Sequence, residues 1–174
     1  SAGAFVVIEG RSGSGKSTLL SLLSGLDRPD SGRVILAGTD ITTLSEDQLA
    51  PFRNRSIGYV FQSFHLIPSL TAQENVMFPA ELCGEPQAAG AKALETFGLA
   101  NEADHSVREL SSGQRKRALF AAAFVGRPEH ILLDEPLDAL DRQISDDVLG
   151  WIGGRILSGA TLLVVSHAIE PLAG

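Results

Sequence analysis

Residues 10 to 18 read Gly10-Arg11-Ser12-Gly13-Ser14-Gly15-Lys16-Ser17-Thr18. An apolar run, Phe5-Val6-Val7-Ile8, comes just before, and Leu19-Leu20-Ser21-Leu22-Leu23 follows. Strand, glycine loop and helix, in that order, form the context in which G-x-x-x-x-G-K-[ST] binds phosphate. Glycines at 10, 13 and 15 let the backbone curl so that successive N–H groups face one point. A helix starting near Gly15 adds its positive dipole end to that concavity. Lys16 then reaches the β- and γ-phosphates, and the Ser17 hydroxyl is placed to ligand Mg²⁺. Ser12, Ser14 and Thr18 complete the expected nucleotide contacts with Gly10, Gly13 and Gly15. A Gly/Ser turn that happens to carry a lysine would leave both flanks unexplained. The expected ligand is a nucleoside triphosphate.

The bulk composition narrows the class. At 174 residues the chain is long enough for one domain with a substantial core. A hydrophobic fraction of 44% fits buried parallel strands together with a surface covered by a partner. A formal charge of −7 argues against a general nucleic-acid binder, which would carry a basic field. The single cysteine, Cys83, suits a reducing compartment and reads as a small buried apolar residue. No apolar run approaches the length that spans a bilayer, and no secretory leader is visible. The start at Ser1-Ala2-Gly3, almost directly on a strand, suggests a trimmed N-terminus.

Along the chain, strands alternate with helices. Phe5–Glu9 is a strand and the helix after the loop is expected to run to about Leu26. Arg33–Ala37 reads as a strand ending in a turn at Gly38. Ser45-Glu46-Asp47-Gln48 fits a capping box, as does Thr71-Ala72-Gln73-Glu74, whose helix Pro79 should bend or end. Ile57–Phe61 is a strand that delivers Gln62. Helices are expected over Ala88–Phe97, with Gly98 as the stop, and from about Ser112 to Val125. The strand His130–Leu133 meets Asp134-Glu135. A helix over roughly Arg142–Ile152 sets Ile144, Val148 and Trp151 on one face, and the strand Thr161–Val165 ends at Ser166-His167. Continuously apolar strands of this kind imply a parallel sheet covered on both faces.

Five further pieces follow the loop in order, and with them the chain resembles the ATP-binding cassette (ABC) ATPases. Gln62, in Tyr59-Val60-Phe61-Gln62, is similar to the family's Q-loop glutamine. Leu110-Ser111-Ser112-Gly113-Gln114 resembles its signature sequence. Ile131-Leu132-Leu133-Asp134-Glu135 resembles the Walker B strand with its catalytic glutamate. Leu137-Asp138-Ala139-Leu140-Asp141 resembles the D-loop, and His167 the switch histidine. A lone Gln or His says little; six pieces in order say much. The resemblance implies an α/β P-loop NTPase with a mainly parallel core sheet flanked by helices. The core would span 1–62 and 115–174, with a small helical subdomain at 63–114.

The resemblance also implies roles. Glu135, His167 and Gln62 would be catalytic, and Ser17, Gln62 and Asp134 would hold Mg²⁺. Glu135 would take a proton from, or orient, the water that attacks the γ-phosphorus of ATP. For Asp134 a helix N-cap is the plain alternative, made unconvincing by an Asp-Glu pair after four apolar residues. Ser111, Gly113 and Gln114 would meet the γ-phosphate held by a second subunit, so the active form is expected to be a head-to-tail homodimer around two ATP molecules.

Departures from the family pattern lead to further expectations. Ser112 stands where glycine is usual, and either needs positive φ or serves as a cap. Ala122 stands where arginine is frequent. The N-terminal antiparallel strands and the C-terminal part are expected to be shortened or missing, since nine residues precede the loop and seven follow His167. Tyr59 and Trp151 are poor candidates for stacking on adenine, because their positions belong to a core strand and a late helix.

Gly38-Thr39-Asp40-Ile41, Gln62-Ser63-Phe64-His65-Leu66-Ile67-Pro68 and Glu74-Asn75-Val76 resemble the lipoprotein-release and macrolide-export branch. That implies a cytoplasmic ATPase on the inner face of the cell membrane. About Ser63–Val76 would receive an integral membrane permease, with Phe64, Leu66, Ile67 and Leu70 forming an apolar groove or simply packing the subdomain. No nucleic acid is expected. The alternatives are a soluble ABC ATPase of translation or DNA repair, and a hydrolysis-impaired truncated cassette. Nothing in the chain suggests tandem cassettes or a long coiled-coil insertion, and Lys16, Glu135 and His167 are all present.

Overall fold

The computed structural model describes residues 3–61, 66–137 and 142–166. Its centre is a four-stranded sheet built from β1 (Phe5–Glu9), β4 (Ile57–Val60), β5 (His130–Asp134) and β6 (Thr161–Ser166). The spatial order is β1-β6-β5-β4, and all three pairings are parallel. The first strand therefore does not touch β5; β6 lies between them, with Glu9 opposite Ser166 and Asp134 opposite Val165. Among the described residues β1 pairs only with β6, and Phe5 and Val6 on it are exposed.

Side-chain alternation along these strands divides the core in two. Ile131 and Leu133 of β5, with Leu162 and Val164 of β6, face the larger cluster, which continues through Phe97, Phe120 and Val148. Leu132 and Val165 face the other side, against Leu20, Leu36, Ile41 and Leu49. Leu20 belongs to α1 (Lys16–Leu23) and Leu49 to α2 (Glu46–Ser56). Leu36 comes from a two-stranded antiparallel hairpin, β2 (Ile35–Leu36) and β3 (Thr39–Asp40). The expected strand over Arg33–Ala37 is thus only two residues of ladder.

The larger cluster holds α3 (Ala72–Leu82), α4 (Ala88–Thr96), α5 (Ser112–Phe124) and α6 (Arg142–Leu157) against the sheet. Both predicted capping boxes, at Ser45 and Thr71, form. Helix α5 packs on α3 and α4 and also on β4, so it joins the sheet to the helical part. Its approach to β4 depends on Gly58: a Cβ there would lie 2.5 Å from the Ala123 carbonyl oxygen. Any side chain at 58 would push the signature helix off the sheet.

Some boundaries depart from expectation. Helix α1 ends at Leu23, because Gly25 turns to φ +70. Strand β4 ends at Val60 and leaves Phe61 outside it. Pro79 does not end α3, which runs three residues further. Buried Val76 and Ala80 on either side hold that turn in place, and the stop comes at Gly84, φ +76. Helix α6 continues five residues past Ile152 despite Gly153 and Gly154, poor helix formers. Its last turn is held by Arg155, whose guanidinium donates to the Pro128 carbonyl at 2.7 Å. Val148 and Trp151 join the core as expected, while the side chain of Ile144 lies outside the described residues.

Candidate active site

The loop after β1 takes the form its glycines permit. Gly13 and Gly15 sit at φ +78 and +87, where a Cβ would be strained. Ser14 N–H closes a turn on the Arg11 carbonyl at 3.2 Å. Gly15 is the N-cap of α1 and offers no side chain to its orphan N–H groups. Lys16 Nζ donates to the carbonyls of Gly10 at 2.7 Å and Arg11 at 3.0 Å, which aims the ammonium over the loop. Gly10 stands inside this curl; a Cβ on it would meet Ser14 Oγ at 2.8 Å.

Strand β5 delivers the acids to the same place. By alternation Asp134 shares the face of Leu132, the side on which α1 packs. A cleft of about 630 Å³ is lined by Ser12, Gly13, Gly15, Lys16, Ser17, Thr18, Asp134 and Glu135. Ligands of open parallel sheets sit at this end, outside the carboxyl ends of the strands. The two acids are only 5% and 7% exposed. Glu135 leaves the strand in the left-handed region, φ +49, which costs a non-glycine residue about 1–2 kcal/mol. Its N–H donates to the Val165 carbonyl at 3.0 Å, and its own carbonyl accepts from Lys116 Nζ at 3.3 Å.

The donor set suits magnesium. Among the described residues no group of three or more His, Cys, Asp or Glu side chains is arranged to cage a metal. One hydroxyl, Ser17, and one carboxylate, Asp134, line the cleft instead. Mg²⁺ is held in that way, by one or two protein oxygens with phosphates and waters completing the shell. Near Asp134, burial first and then the Asp134 charge push the Tyr59 phenol up to about 12, against a hydrogen bond with Ser21. Tyr59 therefore stays protonated.

The signature segment stands apart from this cleft. Ser111 is the N-cap of α5: its Oγ accepts from Gln114 N–H at 3.2 Å, and its N–H donates to Gln114 Oε1 at 2.8 Å. Gln114 also donates from Nε2 to Glu102 at 3.2 Å. Its amide is thus built into the helix start at one end and tied to the neighbouring turn at the other. Ser112 is the first residue of α5 and is not at positive φ, so its Cβ carries no backbone penalty there. Ser111, Gly113 and Gln114 do not line the cleft formed by the phosphate loop of the same chain.

Gln62, His167, Phe64 and the Asp138–Asp141 part of the D-loop lie outside the described residues. Of the other groove candidates, Leu66 is buried in the larger core and forms no open groove. Ile67 is exposed, as are Phe78 and Leu82 on α3. Tyr59 and Trp151 are packing residues: their rings lie against Phe61 and Phe97, with centroids 4.0 and 3.9 Å apart. Cys83 is half-buried and donates from Sγ to the Asn54 carbonyl.

Sequence reading missed two buried polar residues. Asn75 accepts from Ile67 N–H at 2.7 Å and donates to the carbonyls of Ile67 and Thr71, pinning the segment that enters α3. Lys116 reaches Glu135 from α5. Asn75 sits in a helix between a capping box and an apolar stripe, which was a usable signal. Lys116 stands between Arg115 and Arg117, a setting that carries no local signal of burial.

Comparison with known proteins shows the family. The family described as ABC transporter matches residues 1–138. The macrolide export ATP-binding/permease protein MacB of Brucella melitensis is 45% identical over 173 residues, covering 97% of this chain but 27% of MacB. The chain therefore spans about a quarter of that relative's length. The ABC transporter ATP-binding protein YknY of Bacillus subtilis is 43% identical, covering 97% of this chain and 75% of YknY. Among solved structures, a dimeric post-hydrolysis state of the cassette MJ0796 bound to ADP and Pi superposes with a TM-score of 0.89 at 35% identity. It covers 98% of this chain and 78% of MJ0796. With Lys16, Ser17, Asp134 and Glu135 gathered on one cleft and these likenesses beside it, the chain belongs to the ABC transporter family as an ATP-binding, ATPase cassette.

Proposed function

We propose that this cassette hydrolyses ATP in a head-to-tail pair and thereby drives cargo through a partner membrane protein, as export or as lipoprotein or lipid extraction. The observation that carries the reading is the single cleft shared by Lys16, Ser17, Asp134 and Glu135. Lys16 binds the β- and γ-phosphates, and the N–H groups of the Ser12–Thr18 loop surround them. Ser17 and Asp134 would hold Mg²⁺, with Gln62 as a further ligand; when bound, the ion neutralises charge on the phosphate oxygens. Glu135 takes the proton of the attacking water as ADP leaves. His167 donates to the γ-phosphate.

The second subunit completes the site. Ser111 uses a lone pair of its Oγ to cap Gln114 N–H, which leaves its O–H proton to donate outward. The N–H groups of Ser112 and Gly113, the first two of the helix, have no intrahelical acceptor and point the same way. Together they meet the γ-phosphate bound by the twin, while Gln114 holds their geometry. Exposed Ile67, with Phe78 and Leu82 on α3, supports a permease contact around Ser63–Val76. The ATP-binding/permease makeup in the names of MacB and of the pyoverdine exporter PvdT, 42% identical, supports export and the membrane partner.

Trapping the pair tests this. Glu135→Gln should bind ATP, fail to hydrolyse it, and run as a dimer with ATP and Mg²⁺ in size-exclusion chromatography with light scattering. A Glu135→Gln protein that stays monomeric at high concentration, or that turns over like its parent, would falsify the proposal.

A further inference from the structure

Helix α5 is capped at Ser111, and Lys116 lies five residues on, about 7.5 Å along the axis. Lys116 is only 2% exposed, and an ammonium is costly to bury unless it is well partnered. Its Nζ donates to the main-chain carbonyl of Glu135, 3.3 Å away. That carbonyl belongs to the turn with φ +49, a conformation that L residues hold only when their surroundings impose it. The Glu135 peptide groups are gripped from two elements: β6 takes the N–H at Val165, and α5 takes the C=O through Lys116. Lys116 does not line the nucleotide cleft.

We infer that Lys116 is a positioning residue: it fixes the main-chain turn that aims the Glu135 carboxylate, and it ties that turn to the helix whose tip meets the twin's nucleotide. The inference rests on Glu135 as the catalytic carboxylate. A shift of α5 on dimerisation would then reach Glu135 of the same chain directly. Ordering of the base would be linked to arrival of the second subunit.

The test compares Lys116→Met, an unbranched chain one bond shorter that loses the donor, with Lys116→Gln, which has the same reach as Met but keeps an N–H donor. In the intact protein, Lys116→Met should lower kcat at least about tenfold with KM within about twofold, and Lys116→Gln should recover to within about threefold of the parent. Added to Glu135→Gln, Lys116→Met should change the residual single-turnover rate by less than about twofold, because the group it aims is already gone. Lys116→Met with more than half the parental kcat overturns the inference. So does a loss that falls on KM as much as on kcat, or one that is fully additive with Glu135→Gln. Should Lys116→Met not fold, Lys116→Gln decides: its smaller loss must fall on kcat alone and vanish in the Glu135→Gln background. An active Glu135→Gln brings down the assignment of the base and this inference with it. An inactive Glu135→Gln beside a normal Lys116→Met brings down this inference alone.

Discussion

Two helices of this chain have N-termini that the proposed function directs to phosphate, and they are finished in opposite ways. Helix α1 starts at Gly15, φ +87, with no side chain capping its first turn. Helix α5 has Ser111 as its N-cap, in extended geometry, with a reciprocal capping box to Gln114. Every helix leaves four N–H groups without partners at its start. In α1 no side chain caps them, and the proposed function leaves them to the chain's own nucleotide, so the ligand would be the cap. In α5 the Gln114 N–H is already satisfied, and Ser112 and Gly113 present the remainder on a rigid frame. Under the proposed function the first end is completed by binding, and the second is ready before its phosphate arrives.

The largest effect should follow from disabling the open end. Lys16→Met is expected to weaken ATP binding at least about 100-fold, equivalent to about 2.7 kcal/mol. The parent protein at about 100 times its Kd should gain a similar amount of stability from nucleotide. Differential scanning fluorimetry with and without MgATP reads both: a clear rise in Tm for the parent and almost none for Lys16→Met. Equal rises in the two proteins would mean that α1 does not depend on the phosphate for its cap.

The closed end should respond differently, because there capping and phosphate contact are separable. Ser111→Ala loses the cap, about 1 kcal/mol of stability, and the outward O–H donor. Loss of one such donor typically costs about 10²–10³ in rate. ATP affinity of the isolated subunit should not change, since Ser111 lies away from its own cleft. Ser111→Asp separates the two functions: aspartate is an equally good cap but has no proton to donate. Its Tm should return to the parental value while kcat stays low. Parental activity in Ser111→Asp would show that only the cap matters.

The same contrast explains what could be read in the sequence. The phosphate loop is legible because its geometry is imposed by glycine spacing and one lysine, all within nine residues. The capping boxes at Ser45 and Thr71 are legible for the same local reason, as are β5 and β6, whose apolar runs announce burial on both faces. What escaped depends on contacts remote along the chain. Lys116 meets Glu135 across 19 residues, and nothing near Lys116 hints at its burial. The length of α6 is set by Arg155 reaching Pro128, 27 residues away, which overrides its glycines. Leu66 stands in an apolar run that reads equally as groove or as packing, and the fold turns it into the core.

The smallest effect concerns Ser112, the departure from the family's usual glycine. If positive φ were needed there, a Cβ would be a defect; instead Ser112 opens α5 in a conformation open to any L residue. Ser112→Gly should therefore lower stability by a few tenths of a kcal/mol, the difference in helix propensity, and leave kcat within about twofold. Equilibrium urea unfolding and a steady-state ATPase assay check the two numbers. A tenfold rise in kcat would mean that the Ser112 hydroxymethyl stands in the way of the twin's γ-phosphate. Helix α5 would then be a poor fit for its ligand rather than a finished one, and the opposition between the two helix starts would have to be redrawn.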